Sequence, residues 1–316
     1  MPSGIEVFRY GYPFGQQSIL GLSWDVLLVF ATVAMFIFLV HFIIRELLNT
    51  DVHGTPEEEA SKAEVRDSLV AQGVDEVERF TAAQRASHWI MAISIFLLML
   101  SGFLIMNHSV TVKSALGLSW ILVHEVSAIV LIAYVIYHVG RVLSVGTFWE
   151  MWFGITDAKD LWARGKNLFG VSDTYPRQFK YPSAQKLLHW SVTGTTLGLI
   201  VTGLVLLRRV QTPLWAATRE FSFLGIKFGL GGPTLGQMGL IPWSFVLHDF
   251  LAISTVALVI GHVYFGLRPE EWDITKSMVT GRIPVAAYAE KYSPRSWPVG
   301  GTVETDGGRG EDADDE

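Results

Sequence analysis

The sequence predicts an all-α integral membrane protein of five spans: a four-helix bundle of two repeated helix pairs, preceded by one extra N-terminal transmembrane helix. Three observations carry that reading. Half of the 316 residues are hydrophobic and only 17% are charged, whereas a soluble domain carries about a quarter charged residues. The apolar excess is gathered into runs at 26–44, 89–106 and 190–207, each with at most one ionisable side chain. A run of about 18 such residues is what a helix needs to cross a bilayer. The third observation is an internal repeat that pairs the helices.

The spans fall at 24–45, 86–107, 119–143, 186–207 and 244–267. In hydrocarbon each backbone N–H and C=O must be satisfied within its own segment, so runs like these are helices. The third and fifth carry His124 with Glu125 and His248 with Asp249 at one end. The N-terminus has neither a basic n-region nor an A-x-A site, so the first span reads as retained rather than as a signal peptide. Six of the 24 Lys and Arg residues lie in the N-terminus and the segments 108–118 and 208–243; the other 18 lie in 45–85, 141–186 and 268–316. The positive-inside rule then puts the N-terminus outside and the C-terminus in the cytoplasm.

Four regions follow: 1–50 with the extra span, 51–84 as a cytoplasmic linker, 85–297 as the four-helix domain, and 298–316 as a tail. Thr55-Pro56-Glu57-Glu58-Glu59 is a helix start, with Pro at the first position and acids in the first turn. It predicts a surface helix over 60–80. Residues 150–170 mix aromatic and charged groups, as a segment lying at the membrane interface does. The net charge of −6 belongs to the tail, because 301–316 holds seven acids and one arginine. Such a tail reads as a disordered solubilising end. No basic patch stands apart from the membrane edges, which excludes nucleic-acid binding.

With no cysteine there is no disulfide scaffold, no thiolate-held zinc or iron–sulfur cluster, and no CxxCH haem attachment. Redox chemistry, if present, depends on the nine histidines. They are organised by the repeat. QRASHWIMAISIFLLMLSGF at 84–103 returns as QKLLHWSVTGTTLGLIVTGL at 185–204, an offset of 101. VHEVSAIVLIAYVIYHV at 123–139 returns as LHDFLAISTVALVIGHV at 247–263, an offset of 124. Spans two and three form one unit, and spans four and five the other. Both copies begin on the same side, so their pseudo-two-fold axis runs along the membrane normal, with the functional site between the halves.

His124 and His138 are 14 residues apart, as are His248 and His262. Fourteen residues make almost four turns, so each pair shares one helix face about 21 Å apart, which suits two stacked sites. Imidazoles deep in a span are costly unless they have a partner or a job. A haem iron held by histidines from facing helices supplies both, and simple interhelical hydrogen bonding is the plainer alternative. Gly102 and Gly203 stand 14 residues after His88 and His189, where small residues allow close helix approach or a flat macrocycle against the backbone. Arg85, Arg141, Lys186, Arg208 and Arg209 lie near helix ends, suited to pairing with haem propionates or to interfacial anchoring.

On these residues the chain resembles the diheme, cytochrome b561-like membrane subunits of respiratory formate dehydrogenases and nickel–iron hydrogenases, over about 80–297. The carriers are the His-Trp start and Ser-Gly of span two, Tyr181-x-x-x-Gln185-Lys186, Leu247-His248, Gly261-His262-Val263-Tyr264 with Leu267-Arg268, Met278-Val279-x-Gly281-Arg282 and Tyr292-x-Pro294. The resemblance implies that His124 and His248 ligate the haem nearer the outside, and that His88 and His262 ligate the haem nearer the cytoplasm. Of the helix-end cations, Arg85 and Arg141 are the candidates for haem propionates. The resemblance also implies a quinone site at Gln185 and Lys186, where Pro182 and Ala184 depart from the family's Asn and Gly. His138 and His189 are left over. The repeat maps the His88–His262 pair onto them, so a third haem is conceivable; a His138–His262 pairing is the other option.

The function implied is a membrane-anchoring b-type cytochrome of the prokaryotic inner membrane, an electron-transfer subunit rather than the catalytic one. It links an iron–sulfur subunit and a molybdenum, tungsten or nickel–iron catalytic subunit to menaquinone or ubiquinone in the lipid. Bis-histidine ligation leaves no open iron position, so such haems carry electrons. The alternatives are a stand-alone b561-type quinol oxidoreductase and a non-haem, histidine-rich transporter.

Overall fold

The computed structural model of the protein describes residues 56–106, 119–168, 178–207 and 240–299 continuously, with Gly117 and shorter pieces within 10–43 and 220–229. Two short strands, β1 (Tyr10–Gly11) and β2 (Ser18–Ile19), pair antiparallel. Half of the expected first span lies outside the described residues, and 35–41 are helical within it. The expected tail beyond Val299, and Arg208 and Arg209, also lie outside them.

Helix α1 (Pro56–Ala71) opens as expected, with Pro56 in first place and three acids in its first turn. It does not run on to Phe80. Gly73 takes a left-handed φ of 77°, and Gly73 N–H bonds Val70 O at 2.9 Å while Val74 N–H bonds Leu69 O at 3.0 Å, closing the helix end as a glycine does there. The chain then enters β3 (Glu76–Glu78). Thr81 and Gln84 form a reciprocal capping box that starts the next helix: Gln84 N–H bonds the Thr81 hydroxyl at 3.3 Å and Thr81 N–H bonds Gln84 Oε1 at 2.9 Å.

Among the described residues four helices are long and apolar enough to span a membrane. They are α2 (Ala82–Met106), α3 (Trp120–Val145), α5 (Ser183–Leu207) and α6 (Leu240–Gly266), with the amphipathic α4 (Ile155–Leu168) between α3 and α5. Strands β4 (Glu220–Phe223) and β5 (Ile226–Gly229) form a hairpin before α6. Large apolar side chains, among them Ile93, Phe96, Ile136 and Leu143, stay exposed on the spans, as lipid-facing residues do. Polar ones turn inward and satisfy themselves locally: Ser94, Ser101, Thr202 and Thr255 each donate to the carbonyl four residues back.

Helices α2 and α3 pack as one hairpin and α5 and α6 as the other. A Cβ on Gly198 would come within 2.5 Å of Leu251, so the second hairpin is close-packed through a glycine. We call the end where α2 and α5 start the base and the opposite end the crown. At the base the chain after α6 forms α7 (Trp272–Thr280), β6 (Arg282–Pro284) and α8 (Val285–Lys291). Strand β6 pairs antiparallel with β3, Val77 opposite Ile283. Leu69, Val77, Ile274, Ile283, Val285, Tyr288, Tyr292 and Trp297 close into one buried cluster, and Gln178 joins through a bridge to Tyr292. The linker and the stretch that follows α6 therefore make a single base cap. Phe38 stacks on Tyr264 of α6 with ring centres 4.4 Å apart, and His41 Nδ1 lies 2.7 Å from the Tyr264 hydroxyl, which sets that part of the N-terminal segment beside His262.

Candidate functional site

Six histidines of the four spans meet as three ring pairs between the hairpins. His124 of α3 faces His248 of α6 near the crown, with ring centres 6.5 Å apart and planes at 57°. His88 of α2 faces His262 of α6 near the base at 6.2 Å and 59°. His138 of α3 faces His189 of α5, also near the base, at 5.7 Å and 54°. Each pair joins the first repeat to the second.

The crown pair is built by the repeated small–Gly dipeptide. Ser101 Oγ lies 2.9 Å from His124 Nδ1, and Thr202 Oγ1 lies 2.8 Å from His248 Nδ1. Each hydroxyl already donates its own proton to a carbonyl, Leu97 O at 2.6 Å and Gly198 O at 2.8 Å. It therefore accepts from the imidazole, which puts the proton on Nδ1 and leaves the Nε2 lone pair for another bond. The adjacent glycines leave room for the rings: a Cβ at Gly102 would stand 3.5 Å from His124 Cε1, and one at Gly203 would stand 3.4 Å from His248 Cε1.

The base pairs are flanked by the two His-Trp dipeptides. Trp89 lies edge-on to His88 with centres 5.4 Å apart, and Trp190 to His189 at 5.8 Å. Each indole N–H is anchored to the segment that follows the second span of the opposite hairpin: Trp89 to Met278 O at 3.0 Å, Trp190 to Met151 O at 2.8 Å. His88 Nδ1 is buried without a hydrogen-bond partner.

The remaining expected site residues gather at the base. Gln185 Oε1 accepts from Arg79 at 3.4 Å, and the Arg85 guanidinium donates to Val279 O. Lys186 is paired with Asp157 of α4 at 3.0 Å, both side chains largely buried. Asp157 also accepts from Ser183 Oγ and from Gly154 N–H, each at 3.0 Å. Burial would raise its carboxyl, but the Gly154, Lys186 and Ser183 bonds outweigh that and hold it below the ordinary value. Arg141 lies one turn beyond His138 on α3. Tyr181 is held above the ordinary phenol value by burial first and by Glu150 next, against its bond to Gln84 and the charges of Arg79 and Arg141.

Arg79 and Asp157 carry no motif. Arg79 is buried, donates to Ile274 O and Ser277 Oγ at 3.2 Å each, and sits 4.6 Å from the Phe80 ring centre. It had no visible signal in the sequence. Ser101 and Thr202 did, as the repeated small–Gly pair.

Two tests ask whether these residues suit a haem. Imidazole nitrogens bonded at about 2.0 Å to opposite sides of one metal hold their ring centres roughly 6.3 Å apart, close to the three separations above. Among the described residues no cluster of three or more metal-ligating side chains occurs. A bare zinc ion wants four ligands in a tetrahedron. Two facing imidazoles instead suit an iron whose other four ligands come with its own macrocycle.

Four apolar helices with paired histidines between their hairpins define a helical membrane bundle of the kind that holds a cofactor between repeats. A family model described as prokaryotic cytochrome b561 matches residues 79–281. The formate dehydrogenase cytochrome b556(fdo) subunit of Escherichia coli K12 is 24% identical over 227 residues, covering 70% of this chain and 92% of that protein. Subunits of the same description from Escherichia coli O6:H1 and O157:H7 match equally. The chain belongs to the prokaryotic cytochrome b561 family. It is a multi-pass b-type cytochrome of the inner membrane with an electron-transfer role, and the family resemblance read from its motifs is borne out.

Proposed function

We propose that this protein is the membrane subunit of a respiratory oxidoreductase complex, passing electrons between a partner iron–sulfur subunit and the quinone pool. The observation that carries this is the pair of histidine couples at opposite ends of the bundle, His124–His248 at 6.5 Å and His88–His262 at 6.2 Å. These four residues would hold two b haems, which would supply one-electron transfer. The rest is the chain's own work. Ser101 and Thr202 hold the tautomers of the crown ligands, and Gly102 and Gly203 admit their rings. Arg85 and Arg141 supply cations near the base for the propionates.

Tyr181, Gln185 and Lys186 form the quinone side, oriented by Arg79 and Asp157. With the N-terminus outside, the base is cytoplasmic, so quinone protons come from that side. The catalytic partner is of the formate dehydrogenase or hydrogenase type, in keeping with what the Escherichia coli relatives are called. The functional core is 85–297, with 1–50, 51–84 and 298–316 as accessory regions.

The test is a reduced-minus-oxidised spectrum and haem quantification on the purified chain, wild type and His124→Ala. A b-type alpha band, with loss of one haem in the variant and the base haem retained, is expected. A chain without that band would overturn the reading.

A further inference from the structure

We propose that His138 and His189 form a third haem-iron site, one that the two-haem reading leaves unused. It rests on that reading only in taking facing imidazoles as ligands. The two rings stand 5.7 Å apart at 54°, beside 6.2 Å at 59° and 6.5 Å at 57° for the other pairs. Neither ring of this pair is hydrogen-bonded to the other, so the contact is not the ordinary interhelical histidine bond.

The registers agree as well as the distances. His189 follows His88 at the offset of 101, and His138 precedes His262 at the offset of 124. The pair is thus the symmetry mate of the His88–His262 pair, with one ligand in the first two turns of the first helix of its hairpin and the other late in the second helix of the opposite hairpin. The supports are repeated too: Trp190 stands edge-on to His189 at 82°, as Trp89 does to His88 at 85°. Each indole N–H is fixed on a backbone carbonyl at the base.

At two matched positions along its helix, His138 has polar neighbours where His262 has apolar ones. Tyr134 stacks on His138 with centres 5.6 Å apart and planes at 26°, and Arg141 follows one turn on. The equivalent positions beside His262, at the offset of 124, are Leu258 and Phe265. An aromatic hydroxyl and a guanidinium suit a flat macrocycle bearing carboxylates. With two facing imidazoles and no third protein ligand among the described residues, the chemistry again favours a metal that brings its own equatorial plane.

The experiment is haem per chain by pyridine haemochrome on the purified wild type, with His189→Ala and His138→Met alongside. Three haems per wild-type chain, two in His189→Ala with the other midpoints unmoved, and one raised midpoint in His138→Met would establish the site. The last effect follows because a Met/His iron titrates higher than a bis-histidine one. Two haems in the wild type, or three that persist in both variants, would overturn the third site and leave the proposed function intact. A wild type with no haem would instead sink the proposed function. If either variant fails to assemble, the wild-type count still decides.

Discussion

Ser101 and Thr202 show how much one hydroxyl decides. Each accepts from a histidine Nδ1 while its own proton is committed to the carbonyl four residues back, so the ring has one orientation and one free nitrogen. An N–H that donates to such a partner also makes the ligating nitrogen more basic, which favours the ferric state. Ser101→Ala is therefore expected to raise the midpoint of the haem proposed at the crown and to cost about 1 kcal/mol of stability, read by redox titration and thermal unfolding in detergent. Unmoved midpoints in both Ser101→Ala and Thr202→Val would refute this role.

Asp157 works the same way at the base. Its folded value lies below the unfolded one, so the stability it contributes is present above about pH 4 and is lost as the pH falls through the folded value. Asp157→Asn should remove that acid limb and cost roughly 3 kcal/mol at neutral pH by leaving the Lys186 ammonium unpaired. A melting series from pH 3 to 8 on both proteins checks it; parallel curves would count against the pair.

The four spans were readable because hydropathy is a local property. Their ends shift by only a few residues, as at Ala82 for the expected 86 and Leu240 for the expected 244. The base cap was not readable. It joins α1 to residues some 200 positions later, through a strand of three residues and a cluster that neither half completes alone. The early stop of α1 at Gly73 follows from the same fact, since Val77 is needed in the ladder opposite Ile283. Arg79 was missed for a related reason, because all three of its hydrogen-bond acceptors lie more than 100 residues away.

Gly281 holds this element together. Its φ is +85°, and a Cβ there would stand 2.7 Å from Phe80 O, while its own carbonyl takes the Arg79 and Phe80 N–H groups at 2.8 and 3.1 Å. Gly281→Ala is expected to destabilise the cap by roughly 1–3 kcal/mol. Limited proteolysis between 56 and 80 should then outpace the wild type, and equal rates would argue against it.

Across the whole molecule the repeat is visible in bonds as well as letters: two hydroxyl–histidine contacts, two glycine seats, two indole anchors. The N-terminal segment stands outside the repeat and breaks the symmetry, since Phe38 and His41 meet Tyr264 two residues beyond His262. A chain lacking residues 1–50 should consequently keep the crown midpoint and shift that of the haem proposed at His88 and His262. Redox titration of the truncated chain separates this from a general loss of structure, in which all midpoints would move together.

The axis relating the hairpins passes through the His124–His248 couple, which maps onto itself, while the two base couples exchange. Doubling a two-helix unit with three such histidines thus yields an odd number of couples: one that maps onto itself and two that exchange. The self-mapped one has equivalent positions on both sides, so a change at either is a change to the same couple. The exchanging ones are free to diverge, one beside Leu258 and Phe265 and the other beside Tyr134 and Arg141. With the proposed third site filled, the repeat would make a trunk with a fork, in which one branch can be retuned while the other stays open.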